Sequence, residues 1–162
     1  MPIRPAVPND IHAMMAIEQS AATAAHWSRR QYAQVFIDAY SHINTKSATP
    51  EAAMQSRLAL ILEDQANMQG FLIARCLETE WEIENIIIAD RVQRQGWGTR
   101  LLGTFLNLAR KRGAKSVFLE VRESNSAARR LYEKWALVEN GRRKNYYTNP
   151  NEDALIYHLS FP

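Results

Sequence analysis

Apolar positions along the chain switch between helical and strand spacing, and the switches divide it into elements. Ile3-Arg4-Pro5-Ala6 reads as a short strand. Asn9 or Asp10 then caps a helix with Ile11, Met14, Met15 and Glu18 on one face. A second helix starts at Ser28 and sets Tyr32, Val35, Phe36, Ala39 and Tyr40 at helical spacing. Residues 41–49 read as a polar loop. Thr49-Pro50-Glu51 offers a cap, a proline in the first turn and an acid near the positive end, so a short helical turn is expected there. Three short apolar or alternating runs follow, at residues 57–63, 70–77 and 81–88. Asp64-Gln65-Ala66-Asn67 and Glu78-Thr79-Glu80 separate them, which is the pattern of an antiparallel meander.

Residues 98–112 carry a strong helical stripe of Leu101, Leu102, Phe105, Leu106 and Ala109, closed by Arg110-Lys111-Arg112-Gly113. Residues 116–121 read as a strand. Asn125 or Ser126 caps a last helix, with Ala128, Leu131, Tyr132 and Trp135 apolar. Two final strands, near Leu137-Val138 and at residues 154–159, flank a polar loop. Strand, helices, meander, helix, strand, helix, strands is an α+β order with a mixed, mostly antiparallel central sheet and about four helices.

Composition narrows this reading. A chain of 162 residues, 46% hydrophobic, fits a single domain spanning residues 1–162 with a core of its own. Its one cysteine, Cys76, cannot form a disulfide within the chain, and its place in an apolar strand argues for core rather than nucleophile. No apolar run approaches the ~18 residues of a membrane span, and the first residues lack the layout of a secretory signal. A soluble, cytoplasmic protein is expected. The four histidines show no ligand-like pairing, so no metal site is expected. The net charge is only +3, too mild to argue for nucleic acid by itself. It is segregated, however: residues 51–90 hold eight acids against two bases, and residues 91–122 hold eight bases against the single acid Glu120. Such a basic stretch is either a solvated face or a local anion site.

Residues 85–102 carry the chemistry. A strand runs into a turn holding Gly96 and Gly98 and then directly into a helix. Glycines there permit close backbone approach, and the helix start offers free N–H groups and a positive dipole end. With Arg91, Arg94 and Arg100 alongside, the junction suits a pyrophosphate. It is not a dinucleotide fingerprint, because Leu101 stands where the third glycine belongs, and no P-loop pattern is present.

Gln93-Arg94-Gln95-Gly96-Trp97-Gly98 resembles the Q/R-x-x-G-x-G signature of the GNAT N-acetyltransferases. Leu119-Glu120-Val121-Arg122, Asn125 and Tyr132-Glu133 are similar to the second half of the branch that acetylates ribosomal-protein N-terminal alanines, as are Arg143-Lys144-Asn145-Tyr146-Tyr147 and Glu152-Asp153-Ala154. Ile17-Glu18-Gln19 and Trp27-Ser28 add a thinner match, and about residues 40–56 look like extra length. The resemblance implies a GNAT fold and direct transfer from acetyl-CoA, as co-substrate, to a protein N-terminus, without a metal, a membrane or direct nucleic-acid binding. It implies Glu120 as general base and Tyr132 as general acid. Ile86, Ile87 and Ile88 match the strand that holds the pantetheine arm and acetyl carbonyl. Arg94, Gln95, Gly96, Trp97, Gly98 and Thr99 match the pyrophosphate loop, and Asn125 a cofactor contact. Three departures stand out. Trp135-Ala136-Leu137 replaces the usual Leu-Gly-Phe, Ala89-Asp90 replaces Asp-Pro, and Trp97 is bulkier than the usual aliphatic.

The plainer readings stay open. Glu120 shares a strand face with Arg122 and could simply pair with it; Tyr132 lies on an apolar stripe and could be core. Glu82 and Glu84 are alternative bases, and Tyr146-Tyr147 either wall the acceptor pocket or cover a sheet edge. Glu18, the acids of residues 78–84 and Glu152-Asp153 would attract a basic acceptor segment, with the loop at residues 141–152 bordering its pocket. Acetylation of a lysine or small amine, or a non-catalytic acyl-CoA or nucleic-acid binding module, are the competing readings.

Overall fold

The computed structural model describes residues 1–21, 25–40 and 57–162. The helical turn expected at Thr49-Pro50-Glu51, the loop before it and most of the extra length lie outside them. The described residues form strands β1 (Ile3–Pro5), β2 (Arg57–Asp64), β3 (Asn67–Leu77), β4 (Glu80–Ile88), β5 (Ser116–Arg122), β6 (Val138–Tyr147) and β7 (Glu152–Ser160). They also form helices α1 (Ile11–Ser20), α2 (Arg29–Tyr40), α3 (Trp97–Lys111) and α4 (Ser126–Lys134). The strands make one sheet in the order β1-β2-β3-β4-β5-β7-β6. Every neighbouring pair is antiparallel except β4 and β5, which run parallel. This is the expected α+β class.

Each face of the sheet buries its own core. One holds Leu58, Leu60, Leu72, Trp81, Val117 and Leu155 under the stripe of α3, with Leu101, Leu102 and Phe105. The other holds Ala59, Ile61, Phe71 and Ile73 under Ile11, Met14, Tyr32, Val35 and Phe36 of α1 and α2. Coverage on both faces explains why β2 reads as a continuous apolar run rather than an alternation. In α1 the buried face is Ile11, Met14, Ile17 and Glu18, with Met15 only half-buried. A single 3₁₀ turn (Pro8–Asp10) precedes α1, where the Asp10 carboxylate accepts from the Val7 N–H and is gripped by Arg4.

The polar stretch expected as a loop after Val138 is instead strand β6. It pairs with β7 alone, on the sheet edge, and nearly all of its side chains are exposed. With neither face buried it carries no apolar alternation, so the periodicity that reveals other strands is missing. Among the described residues no helix is long and apolar enough to cross a membrane.

Candidate active site

Strands β4 and β5 pair only from Glu80↔Ser116 to Ile83↔Leu119, although β4 continues to Ile88 and β5 to Arg122. They diverge where β4 carries a bulge: Ile73 of β3 faces Asn85 and the next residue, Ala74, faces Ile83, so Glu84 is the extra residue. A bulge bends and twists its strand. It also swaps the faces, so that Ile83 joins the α3 core and Ile87 the α1–α2 core. Beyond it, backbone groups of β4 that point away from β3 have no β5 partner. The opening is a cavity of about 910 Å³.

One half of this cavity is walled by the end of β4 and the turn into α3. Ile86, Ile87 and Ile88 line one wall, and Arg94, Gly96, Gly98 and Thr99 the next. Gly96 (φ 84°) and Arg94 (φ 58°) both take the left-handed conformation that aims the turn into α3, where Gly96 is the cap and supplies no side-chain hydrogen bond. The first N–H groups of α3 therefore remain available. A Cβ on Gly98 would stand 3.2 Å from Leu131 Cδ2 and 3.6 Å from Ile88 Cγ1, so the glycine lets α3, α4 and β4 converge. Gln93 donates to the Ile88 carbonyl at 2.9 Å and fixes the end of β4 against the turn. Asn125 lines the cavity and caps α4 by accepting from the Ala128 N–H.

Several expected residues turn away from the cavity. Gln95 and Trp97 are not among its lining side chains: Gln95 reaches back to the Arg91 carbonyl, and Trp97 packs against the α1–α2 core. Arg91 is committed to Gln69 and the Met68 carbonyl, and Arg100 stands over the Trp97 ring. Of the three arginines expected to hold a pyrophosphate, only Arg94 reaches the cavity. The other cations lining it are Arg122, Arg130 and Lys134, the last two from α4, a helix whose contribution the glycine motif does not announce.

Glu120 and Tyr132 both line the cavity. The Glu120 side chain is 17% exposed and pairs not with Arg122 but with Arg143, whose Nε lies 2.7 Å from Oε1. Arg122 instead binds Glu152 and the Thr148 and Pro150 carbonyls, under the Tyr147 ring. Tyr132 is 4% exposed and packs on Tyr157 at 5.8 Å. Burial first, then nearby Tyr147, pushes its phenol well above the ordinary tyrosine range, so it stays protonated. Burial and then the Glu120 charge push Tyr147 up to about 12; the Glu120 charge is the leading cause of the rise at Tyr146. Tyr146 and Tyr147 meet edge to face at 5.2 Å beside the cavity.

The other half is braced by polar and charged side chains. Glu18, expected as an attracting surface acid, is 2% exposed and accepts from the Trp27 N–H and Asn85 Nδ2. It ties α1, the entry to α2 and the bulged β4 together. Glu84 binds Arg57 through both oxygens at 2.9 Å, and Glu82 pairs with Arg75. Glu152 and Asp153 pair with Arg122 and Arg142. Acids already paired with arginines attract weakly at long range, so Glu82, Glu84, Glu152 and Asp153 add little to the expected steering. Glu84, gripped by a guanidinium fork, is a poor alternative base.

Comparison with known proteins bears on this geometry. The acetyltransferase (GNAT) family matches residues 15–136. A ribosomal protein bS18-alanine N-acetyltransferase of Escherichia coli strain K12 is 39% identical over 100 residues, 60% of this chain and 68% of that protein. A protein of the same name from Haemophilus influenzae is 40% identical over 102 residues, 61% of this chain and 69% of that protein. The crystal structure of the ribosomal-protein-S18-alanine N-acetyltransferase from Escherichia coli resembles the fold with a TM-score of 0.76 at 30% identity, over 98% of this chain and 92% of that one.

Proposed function

The chain belongs to the GNAT acetyltransferase family and is an N-acetyltransferase; from that premise we propose that it transfers the acetyl group of acetyl-CoA to the N-terminal α-amine of a protein, the N-terminal alanine of a ribosomal protein. Residues 1–162 work as one acetyltransferase domain in the cytoplasm. The observation that carries the reading is the cavity at the divergence of β4 and β5, lined by Glu120, Tyr132 and the uncapped start of α3.

In this mechanism the pyrophosphate lies at the turn of Arg94, Gly96, Gly98 and Thr99, while backbone groups of Ile86 to Ile88 hold the pantetheine arm. Glu120 takes the proton of the acceptor ammonium. The amine nitrogen attacks the thioester carbon, and backbone N–H groups at the end of β4 stabilise the oxyanion. The carbon–sulfur bond then breaks and the departing thiolate takes the Tyr132 proton, which burial has kept on the phenol, while the proton still on the new amide nitrogen is released and restores the Tyr132 phenol. An α-amine of pKa ~7.7 is about 17% neutral at pH 7, against ~0.04% for a lysine at ~10.4, so one carboxylate suffices as base for an N-terminus.

Three peptides of one sequence test the reading: a free N-terminal alanine, a blocked N-terminus with an internal lysine, and a free N-terminal leucine. The free alanine peptide is expected to give the highest kcat/KM with labelled acetyl-CoA. Equal or faster acetylation of the blocked, lysine-bearing peptide would overturn it.

A further inference from the structure

Two arginines lie on the same face of the sheet beside Glu120, and they are held very differently. Arg122 is fixed by Glu152, two backbone carbonyls and the Tyr147 ring, 4.3 Å away. Arg143 sits on edge strand β6 with its side chain 56% exposed. Among the described residues its contacts are one ion pair, to Glu120 Oε1, and one ring, Tyr146 at 5.4 Å. A guanidinium never gives up its proton at working pH, so while it sits on that oxygen it can only block an incoming ammonium, which would also meet a like charge there. With the Arg143 side chain more than half exposed, water screens this pair from one side, and another cation can be exchanged for the arginine.

Resting on the assignment of Glu120 as the base, we propose that Arg143 is a displaceable counter-ion of Glu120. It occupies the place of the acceptor's ammonium, so that the acceptor binds by expelling it and Arg143 sets the acceptor KM. The guanidinium keeps the carboxylate paired in the free enzyme and excludes cations too weakly held by the rest of the site to replace it. Tyr146, stacked on the same side chain, moves with it, so that acceptor entry is coupled to this end of β6.

Arg143→Gln keeps the length and removes the charge. The acceptor KM for the alanine peptide is expected to fall about two- to fivefold, the range set by the weakness of such pairs, with acetyl-CoA affinity unchanged by calorimetry. Arg143→Lys, which retains the charge, is expected to keep the parent KM. In a Glu120→Gln background, Arg143→Gln is expected to leave the acceptor KM where it was. An acceptor KM that stays or rises in Arg143→Gln overturns the proposal, and so does a fall that persists without the Glu120 charge. Normal turnover by Glu120→Gln alone overturns the base assignment instead, so the two failures are distinguished.

Discussion

The two halves of the cavity are built by opposite means. On the side proposed to hold acetyl-CoA, β4, the Gly96–Gly98 turn and the start of α3 offer backbone N–H groups, and at Gly98 the missing side chain lets Leu131 and Ile88 close in. On the side proposed to take the acceptor, long polar side chains bridge elements far apart in sequence: Glu18 to Asn85, Arg57 to Glu84 and Arg143 to Glu120. A backbone cradle fits a ligand that is always the same. A partly exposed ion pair such as Arg143–Glu120 can be re-matched to a different partner at little cost to the fold. Under the proposed function, the half built from side-chain contacts is the one free to change specificity.

Glu120, where the halves meet, should give the largest effect. Glu120→Gln is expected to lower kcat by ~10²–10⁴ while leaving acetyl-CoA binding intact, with partial recovery as pH rises past the α-amine pKa of ~7.7 and the acceptor deprotonates itself. Steady-state kinetics from pH 6 to 9.5 check this; a flat pH dependence with normal kcat at pH 7 would put the base elsewhere.

On the acceptor side, Glu18→Ala strands a buried amide and a backbone N–H that now donate to a carboxylate. Losing two such charge-assisted bonds is expected to cost about 2–4 kcal/mol. Urea unfolding should show a lower midpoint with unchanged slope. The acceptor KM should rise more than the acetyl-CoA KM, because Asn85 and the entry to α2 lose their common anchor. Equal changes in both constants would erase the distinction between the halves.

Gly98→Val probes the cofactor side. Its methyl groups would enter the space where a Cβ alone already meets Leu131, at an overpacking cost of about 1–3 kcal/mol. Acetyl-CoA affinity should fall as the turn is displaced, read by calorimetry on protein whose circular dichroism is unchanged. An unchanged affinity in folded protein would remove this turn from the binding site.

What could be read from sequence follows the same division. The turn with Gly96 and Gly98 is contiguous, so its strand-to-helix context is visible in one short stretch, and Ile86 to Ile88, Arg94, Asn125, Glu120 and Tyr132 do line one cavity. The strands of the meander were legible because their apolar faces are buried. The acceptor side was not. Whether Glu120 meets Arg122 or Arg143 depends on β6 folding back beside β7, and β6 has no apolar face to reveal it. Glu18 looked like a surface acid because its partners, Trp27 and Asn85, are 9 and 67 residues away. Arg91 and Arg100 looked like anion ligands because charge runs do not say which way a side chain turns.

The smallest predicted effect lies behind both halves, where α4 ends. Trp135 lies over Gly103 of α3, its indole N–H donating to the Thr99 carbonyl, and Leu137 is buried in the α3 core. To connect them the chain reverses at Ala136, which takes φ 60°. This is the position after a helix where glycine is the usual residue, because a Cβ in the left-handed region crowds the following carbonyl. The alanine therefore holds strain that glycine would release, against the greater freedom glycine brings to the unfolded chain. The steric gain of ~1–2 kcal/mol outweighs the entropic cost of ~0.5–1, so Ala136→Gly is expected to stabilise by somewhat under ~1 kcal/mol. For a chain of this length that is a rise in Tm of about 1–3 °C by calorimetry. Because the reversal touches neither the Gly96 turn nor the acceptor ion pairs, kcat and both KM values should stay as they are. A stabilised variant with a shifted acceptor KM would mean that the end of α4, through Tyr132 and Trp135, is part of the acceptor half after all.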